Sequence, residues 1–225
     1  MAELILVRHG QASFGAEDYD KLSELGWRQS RWLGEYFRER GAAFDLHVRG
    51  SLRRHAQTLA GIAEGMGRAH AGIERAAVED ARLDEYDSHS LLQAHLKGEP
   101  LPQGGDRREH FRILRAAMYA WTDGNLAGAP HEPFTDFRGR VLGALAALRE
   151  GAAKRVLVVS SGGPISTILA EVLGMPLRGV VDLNLQTRNT GITELQASAS
   201  RIHVVSFNNA PHLDRPDRAG ALTYS

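Results

Sequence analysis

The amino-acid sequence predicts an α/β fold: a three-layer α/β/α sandwich with a mainly parallel central sheet and a helical insertion. Three observations predict it. Leu4-Ile5-Leu6-Val7 and Val156-Leu157-Val158-Val159 are short apolar runs rich in β-branched residues, without the polar alternation of a half-exposed strand, so each reads as a strand buried on both faces. Each run gives way to a glycine-bearing turn and a helical pattern. Strand-like and helix-like segments alternate, which is the rhythm of βαβ units around a parallel sheet.

In chain order, the first strand ends at Arg8-His9-Gly10. Over residues 23–40 apolar Leu25, Trp32, Leu33, Tyr36 and Phe37 recur at helical spacing, Ser23 offers a capping oxygen and Gly41 follows the end. Residues 44–48 read as a second strand, and Gly50-Ser51 leads into a helix ending near residue 66. Residues 155–160 form the purest strand; Gly162-Gly163-Pro164 then turns into a helix over 165–173, closed by Gly174 and Pro176. Residues 190–195 and 202–207 make a terminal hairpin or adjacent strands, and the last dozen residues read as loose. Between these parts, residues 88–131 carry helical stretches at 91–96 and 111–121, punctuated by Gly98-Glu99-Pro100, Pro102-Gln103-Gly104-Gly105 and Gly128-Ala129-Pro130. This span is expected to be a cap insertion within a single domain, 1–225, because ligands of open α/β sheets bind at the carboxyl ends of the strands.

Composition narrows the function. With 225 residues, 43% of them hydrophobic, the chain is long enough for one sizeable core. Twenty-seven basic residues balance 27 acidic ones, so no overall field gathers nucleic acid or an anionic membrane, and neither is an expected partner. No run of 18 apolar residues exists to cross a bilayer, and Met1-Ala2-Glu3 opens no secretory signal, so the cytoplasm is the expected location. The absence of cysteine removes disulfides, thiolate zinc sites and cysteine nucleophiles. Only Lys21, Lys97 and Lys154 are lysines, leaving 24 arginines with forks suited to phosphate, although biased codon usage accounts for the skew more simply.

At the end of the first strand, Arg8-His9-Gly10 brings together a fork of donors, an imidazole able to act as acid, base or nucleophile, and a glycine that lets backbone approach an oxyanion. That combination suits a phosphoryl group. Extended to Leu6-Val7-Arg8-His9-Gly10-Gln11-Ala12, then Leu22-Ser23-Glu24-Leu25-Gly26 and Gln29, the segment resembles the opening signature of the histidine phosphatase superfamily, which includes the cofactor-dependent phosphoglycerate mutases. Ser51-Leu52-Arg53-Arg54-His55-Ala56-Gln57-Thr58 is similar to the family's second arginine segment, and Leu83-Asp84-Glu85 to the place of its acidic proton donor. The strand and turn from Val156 to Gly163 resemble those that carry a second histidine, and Asn208-Asn209-Ala210-Pro211-His212-Leu213 the closing segment.

The resemblance implies a phosphatase that needs no metal and no cofactor and acts on a small phosphorylated molecule or a phosphoprotein. His9 is then the nucleophile, Glu85 the acid and base, and Arg8, Arg54 and Ser161 the phosphate-binding residues; Arg53 is a structural neighbour. Ser161 is also the main departure, because it stands where the family places its second histidine. A hydroxyl brings no charge, and a hydrogen bond to a charged group is worth roughly 1.5–3 kcal/mol, so the expected loss is about 10- to 150-fold in rate. A pseudoenzyme that binds a phosphorylated ligand with little turnover is therefore the alternative. Gly15, where the mutase signature has asparagine, thins the phosphate contacts further.

Several residues keep two readings. Glu85 lies among Glu79, Asp80, Asp84 and Asp87, which equally describe an exposed acidic loop, and Ser161 equally describes a turn residue. Arg107 and Arg108 could meet a second anionic group, yet Asp106 and Glu109 flank them as in a solvated helix start. His212 is left without a role. A serine-hydrolase elbow is half missing around Ser161, which has Gly163 after it but Val159 before it.

Overall fold

A computed structural model describes residues 1–13, 20–99, 107–126, 130, 132–198 and 200–224, apart from the Arg107 side chain. Its strands β1 (Ala2–Arg8), β2 (Leu46–Arg49), β3 (Val78–Glu79), β4 (Arg155–Ser160), β5 (Ile192–Ala197) and β6 (Ile202–Asn209) form one sheet in the order β3-β2-β4-β1-β5-β6. β1 and β4 pair in parallel from Glu3↔Arg155 to Arg8↔Ser160, and β2 is parallel to both β4 and β3. β5 is antiparallel to β1 and to β6, so it alone runs against the others. The mainly parallel sheet is thus present, and the terminal pair is a hairpin.

The two-residue period of a strand explains the layering. Ile5, Val7, Leu157 and Val159 pack with Leu33 and Phe37 of helix α1 (Glu24–Glu39) and with Leu59, Ile62 and Met66 of α2 (Arg53–Met66). Leu4, Leu6, Val156 and Val158 point to the opposite face. There they meet Phe137, Val141 and Leu145 of α6 (Phe134–Glu150), Ile165 and Leu169 of α7 (Gly162–Val172), and Val180 and Val181 of α8 (Arg178–Asn184). The 88–131 span contributes α4 (Ser88–His95) and α5 (Arg107–Thr122), whose Leu91, Leu92, Ile113, Leu114 and Met118 join the same cluster. A further short helix, α3 (Ile73–Ala76), leads to β3.

Local signals behave as their chemistry requires at α1, where the Ser23 side chain accepts from the Gly26 N–H at 3.0 Å and Gly41 takes a φ of +59° beyond the end. Three expectations need correction. Gly162 and Gly163 are not a turn before α7 but its first residues, and Pro164 fits there because first-turn N–H groups lack intrahelical partners anyway. The second strand lies about two residues later than its apolar run suggests, because its register is set by pairing with β4. Residues 214–224 are tied down rather than loose: Gln29 donates to the Ala221 carbonyl (2.7 Å) and Thr223 Oγ1 (2.9 Å), and Arg8 Nη1 donates to the Tyr224 carbonyl (2.6 Å). Among the described residues no helix is long and apolar enough to cross a membrane.

Candidate active site

Because β1 and β4 are parallel and in register at Arg8↔Ser160, His9 and Ser161 leave neighbouring strands at the carboxyl edge of the sheet. The His9 N–H donates to the Ser160 carbonyl at 2.9 Å, which carries the pairing one residue beyond the strand. The His9 ring is buried, with Nδ1 2.7 Å from the Gly10 carbonyl. A carbonyl can only accept, so Nδ1 carries the proton and Nε2 keeps a lone pair. Arg54, in the first turn of α2, donates to that lone pair from Nε at 3.2 Å. Burial, reinforced by the charges of Arg54 and Arg8 and the nearby His55, holds the imidazole well below its ordinary pKa; the Gly10 carbonyl offsets this only in part. His9 is therefore a neutral imidazole with its free nitrogen aimed at a guanidinium.

Arg54 is held from its other side by Asp20, which accepts from Nη1 at 2.7 Å and from the Arg53 backbone N–H at 2.9 Å. Thr58, one turn along α2, accepts from the Gly10 N–H at 3.0 Å and donates to the Arg54 carbonyl at 2.7 Å, locking the helix start to the β1 end. Arg8 places Nη1 on the carbonyls of Thr187 and Tyr224, yet its charge reaches both His9 and Glu85.

Glu85 belongs to this cluster and not to a freely solvated acidic loop. Its Oε1 and Oε2 each accept from the Gly163 N–H at 3.1 Å, at the start of α7. A Cβ at position 163 would lie 2.1 Å from Oε1, so only glycine lets the carboxylate approach. Burial raises the Glu85 pKa; the Gly163 N–H, Arg54, Arg8 and the Tyr86 N–H counter it incompletely. Arg140 of α6 secures the approach by donating to the carbonyls of Arg82 (2.9 Å) and Asp84 (2.8 Å).

Ser161 is fully buried at the N-cap position of α7, yet its side chain caps nothing. Its Oγ lies instead 2.7 Å from Nε2 of His55, a residue of α2 whose ring is also fully buried and whose centroid is 5.8 Å from that of His9. His55 Nδ1 faces Asp84 Oδ1 at 3.7 Å. Sequence reasoning passed over His55 and Asp20, because neither is adjacent in sequence to what it touches. The helical period offered one signal for His55: three residues before Thr58 puts it on a face of α2 that turns toward the sheet.

The remaining candidates fall elsewhere or outside the described residues. Arg108 is exposed on α5, whereas Gly15 and the Arg107 side chain are not described. His212 is buried against Thr190, with Nε2 2.8 Å from Oγ1, and is driven down to about 3 by burial and then by Arg218. No group of three or more histidine, aspartate or glutamate side chains among the described residues is arranged to hold a metal ion.

Comparison with known proteins gives a consistent picture. The family model of the histidine phosphatase superfamily (branch 1) matches residues 4–210. The chain is 26% identical over 207 residues to a 2,3-bisphosphoglycerate-dependent phosphoglycerate mutase of Methylorubrum populi, covering 88% of this chain and 91% of that one. Among solved structures it is similar to a mycobacterial glucosyl-3-phosphoglycerate phosphatase, with a TM-score of 0.62, 24% identity and coverage of 93% and 100%. It is also similar to the phosphoserine phosphatase of Entamoeba histolytica bound to 3-phosphoglyceric acid, with a TM-score of 0.62, 19% identity and coverage of 95% and 100%. At these identities the structural matches speak for the fold.

Proposed function

The chain belongs to the histidine phosphatase superfamily, and we propose that within it this protein is a metal-independent phosphatase that hydrolyses phosphomonoesters, on a small molecule or a phosphoprotein, through a phosphohistidine on His9. The observation that carries the reading is the His9–Arg54 contact: a neutral imidazole with Nδ1 committed to a carbonyl and Nε2 facing the cation that an incoming phosphoryl group would meet. When the group binds, Arg54 exchanges its bond to Nε2 for bonds to the equatorial oxygens, and the lone pair is released toward phosphorus.

Nε2 then attacks in line, forming the N–P bond as the ester P–O bond breaks, while Arg8 and Arg54 neutralise the oxygens. Glu85 suits the acid role because its raised pKa favours the protonated form that gives its proton to the departing alkoxide. In the second half, Glu85 takes a proton from water as water attacks phosphorus, the N–P bond breaks and orthophosphate leaves. Ser161 would contribute a hydroxyl to the phosphoryl oxygens, and the 88–131 span would select the substrate.

Rapid acid quench with a generic aryl phosphate tests the reading. The expected result is an acid-labile phosphate on His9 that chases to orthophosphate in water. Binding without label would make the protein a phosphate-ligand-binding pseudoenzyme, the alternative raised by the uncharged Ser161. Passage of the label to 3-phosphoglycerate in preference to water would make it a mutase, as its Methylorubrum relatives are named.

A further inference from the structure

His55 has no part in the mechanism above, yet it is one of the most deeply placed polar side chains of the site. It is fully buried, tilted 42° to the His9 ring at a centroid distance of 5.8 Å, and bonded through Nε2 to Ser161 Oγ at 2.7 Å. Burying an imidazole is costly unless its nitrogens are used. Nδ1 has no side-chain hydrogen-bond partner among the described residues; it lies against the Gly50 backbone, whose carbonyl favours a proton on the ring, and looks toward Asp84 Oδ1 at 3.7 Å. Asp84 is itself fixed: Oδ1 accepts from the Ser51 N–H at 2.6 Å and Oδ2 from the Ser51 hydroxyl. Space for the pair is reserved by Gly50, where a Cβ would lie 2.3 Å from His55 Nδ1 and 2.5 Å from Asp84 Oδ1. A carboxylate, an imidazole and a hydroxyl thus stand in line, ending at the strand end beside the nucleophile.

We propose that His55 is a positioning residue of the phosphoryl-transfer site: with Nδ1 turned to Asp84 and Nε2 on Ser161, it makes the Ser161 hydroxyl the donor that meets the transferring group beside His9. The proposal rests on the phosphatase reading for its chemistry, and on the Asp84–His55–Ser161 line for its geometry.

The proton count decides when the line works. With Nε2 unprotonated, the Ser161 hydroxyl donates to His55 and has no proton left for a phosphoryl oxygen. With His55 protonated on both nitrogens, Nδ1–H faces the Asp84 carboxylate, Nε2–H donates to Ser161 Oγ, and the hydroxyl proton is free to point at the anion. Burial and then Arg54 and Arg49 depress the His55 pKa, and the Gly50 carbonyl offsets them only in part, which favours the first state. The groups facing the ring are Arg54 on its own helix, Arg49 at the end of β2, His9 at the end of β1 and Asp84. An entering phosphate dianion adds negative charge against the two arginines and shifts the balance to the second state. The proton comes from solvent or from the phosphomonoester monoanion, whose second ionisation is near 6.

Orthovanadate, a phosphate mimic that needs no turnover, gives the test. Its affinity, and kcat and KM for an aryl phosphate, would be measured for wild type, Ser161→Ala, His55→Phe, His55→Gln and the Ser161→Ala/His55→Phe double variant. The expected single losses are about 10- to 150-fold in affinity and in kcat, with the double variant no worse than the poorer single. His55→Gln should recover part of the loss, since its amide can donate to Ser161, but without a pH dependence of its own. In wild type, the nitrogen chemical shifts of His55 should become those of an imidazolium when vanadate binds, and Ser161→Ala should abolish that change. Losses that multiply in the double variant, wild-type affinity in His55→Phe, or a His55 that stays neutral on vanadate binding would each overturn the proposal. So would a folded wild type that binds no vanadate. Should His55→Phe fail to fold, Ser161→Ala and the nitrogen shifts decide. Coupled vanadate binding without turnover would overturn the phosphatase reading and leave the line standing; turnover without coupling would do the reverse.

Discussion

β1 and β4 run side by side, end at the same edge and pass into the site one residue later, yet their two ends are furnished differently. At the β1 end the imidazole belongs to the strand: His9 is oriented by the next residue's carbonyl and met by Arg54. At the β4 end the strand supplies only the Ser161 hydroxyl, and the nearby imidazole comes from α2, across 106 positions of sequence. An enzyme site needs groups in space, not groups at fixed places in the chain. A group supplied by its own strand is fixed by local geometry, whereas a group reaching in from another element depends on the packing of the whole layer.

The difference predicts unequal consequences. His9→Ala should bring phosphohistidine formation and turnover down to background while leaving the fold intact, because nucleophile loss acts on rate far more than on affinity. Quenched mass measurement and melting of the same sample check both halves. A variant that still turns over would move the nucleophile away from the β1 end and dissolve the contrast. Glu85→Gln, which removes the acid–base group held against the Gly163 N–H, should cost alkyl phosphates roughly 10²- to 10⁴-fold and activated aryl phosphates much less. Equal losses on both would assign the proton to another group, Asp84 being the nearest in sequence.

How much of this was legible follows the same line. The β1 end could be read because its signals are contiguous: an apolar strand, then Arg8-His9-Gly10. Arg54 and Glu85 could be read through family resemblance, and the structure brings both within electrostatic reach of His9 or each other. His55 could be read only as far as the helix face it shares with Thr58, because nothing in Arg53-Arg54-His55-Ala56 says that this face will meet Ser161. Helix α6 could not be read, since it opens on Pro133 without a side-chain cap and carries Gly139 and Gly143 in its interior, both of which blur a helical pattern. The docked tail was missed for a like reason: Gln29 and Asn189, which hold it, lie far from it in sequence.

The contrast between the strand ends can be sharpened by exchanging them. Ser161→His alone should lower turnover, since the new ring would claim the space where His55 Nε2 already stands 2.7 Å from the serine oxygen, and overpacking of a filled site costs roughly 1–3 kcal/mol. Combining Ser161→His with His55→Ala clears that volume and gives β4 an imidazole of its own, like β1. Turnover in the combined variant should exceed that of His55→Ala by about tenfold or more. If Ser161→His alone is the faster enzyme, the two side chains do not compete for one place.

The smallest effect concerns a third buried histidine, and it separates imidazoles that serve the site from one that serves packing. His212 lies in the segment after β6, bonded to Thr190 and driven down to about 3 by burial and Arg218. Its unfolded value is near 6.5, so the unfolded chain binds a proton that the folded protein refuses, and stability falls as pH drops from about 6.5 toward 3. Between pH 7 and pH 5 this one group should remove about 2 kcal/mol. His212→Gln keeps a polar partner for Thr190 and cannot titrate, so its stability should vary less over that interval by about the same amount, with turnover at neutral pH unchanged. His9 and His55, whose pKa values are also lowered, would leave a residual slope. Urea midpoints at the two pH values measure the difference. An unaltered slope would mean that His212 is already protonated in the folded protein, and a loss of turnover would place it with His9 and His55 in the service of the strand ends.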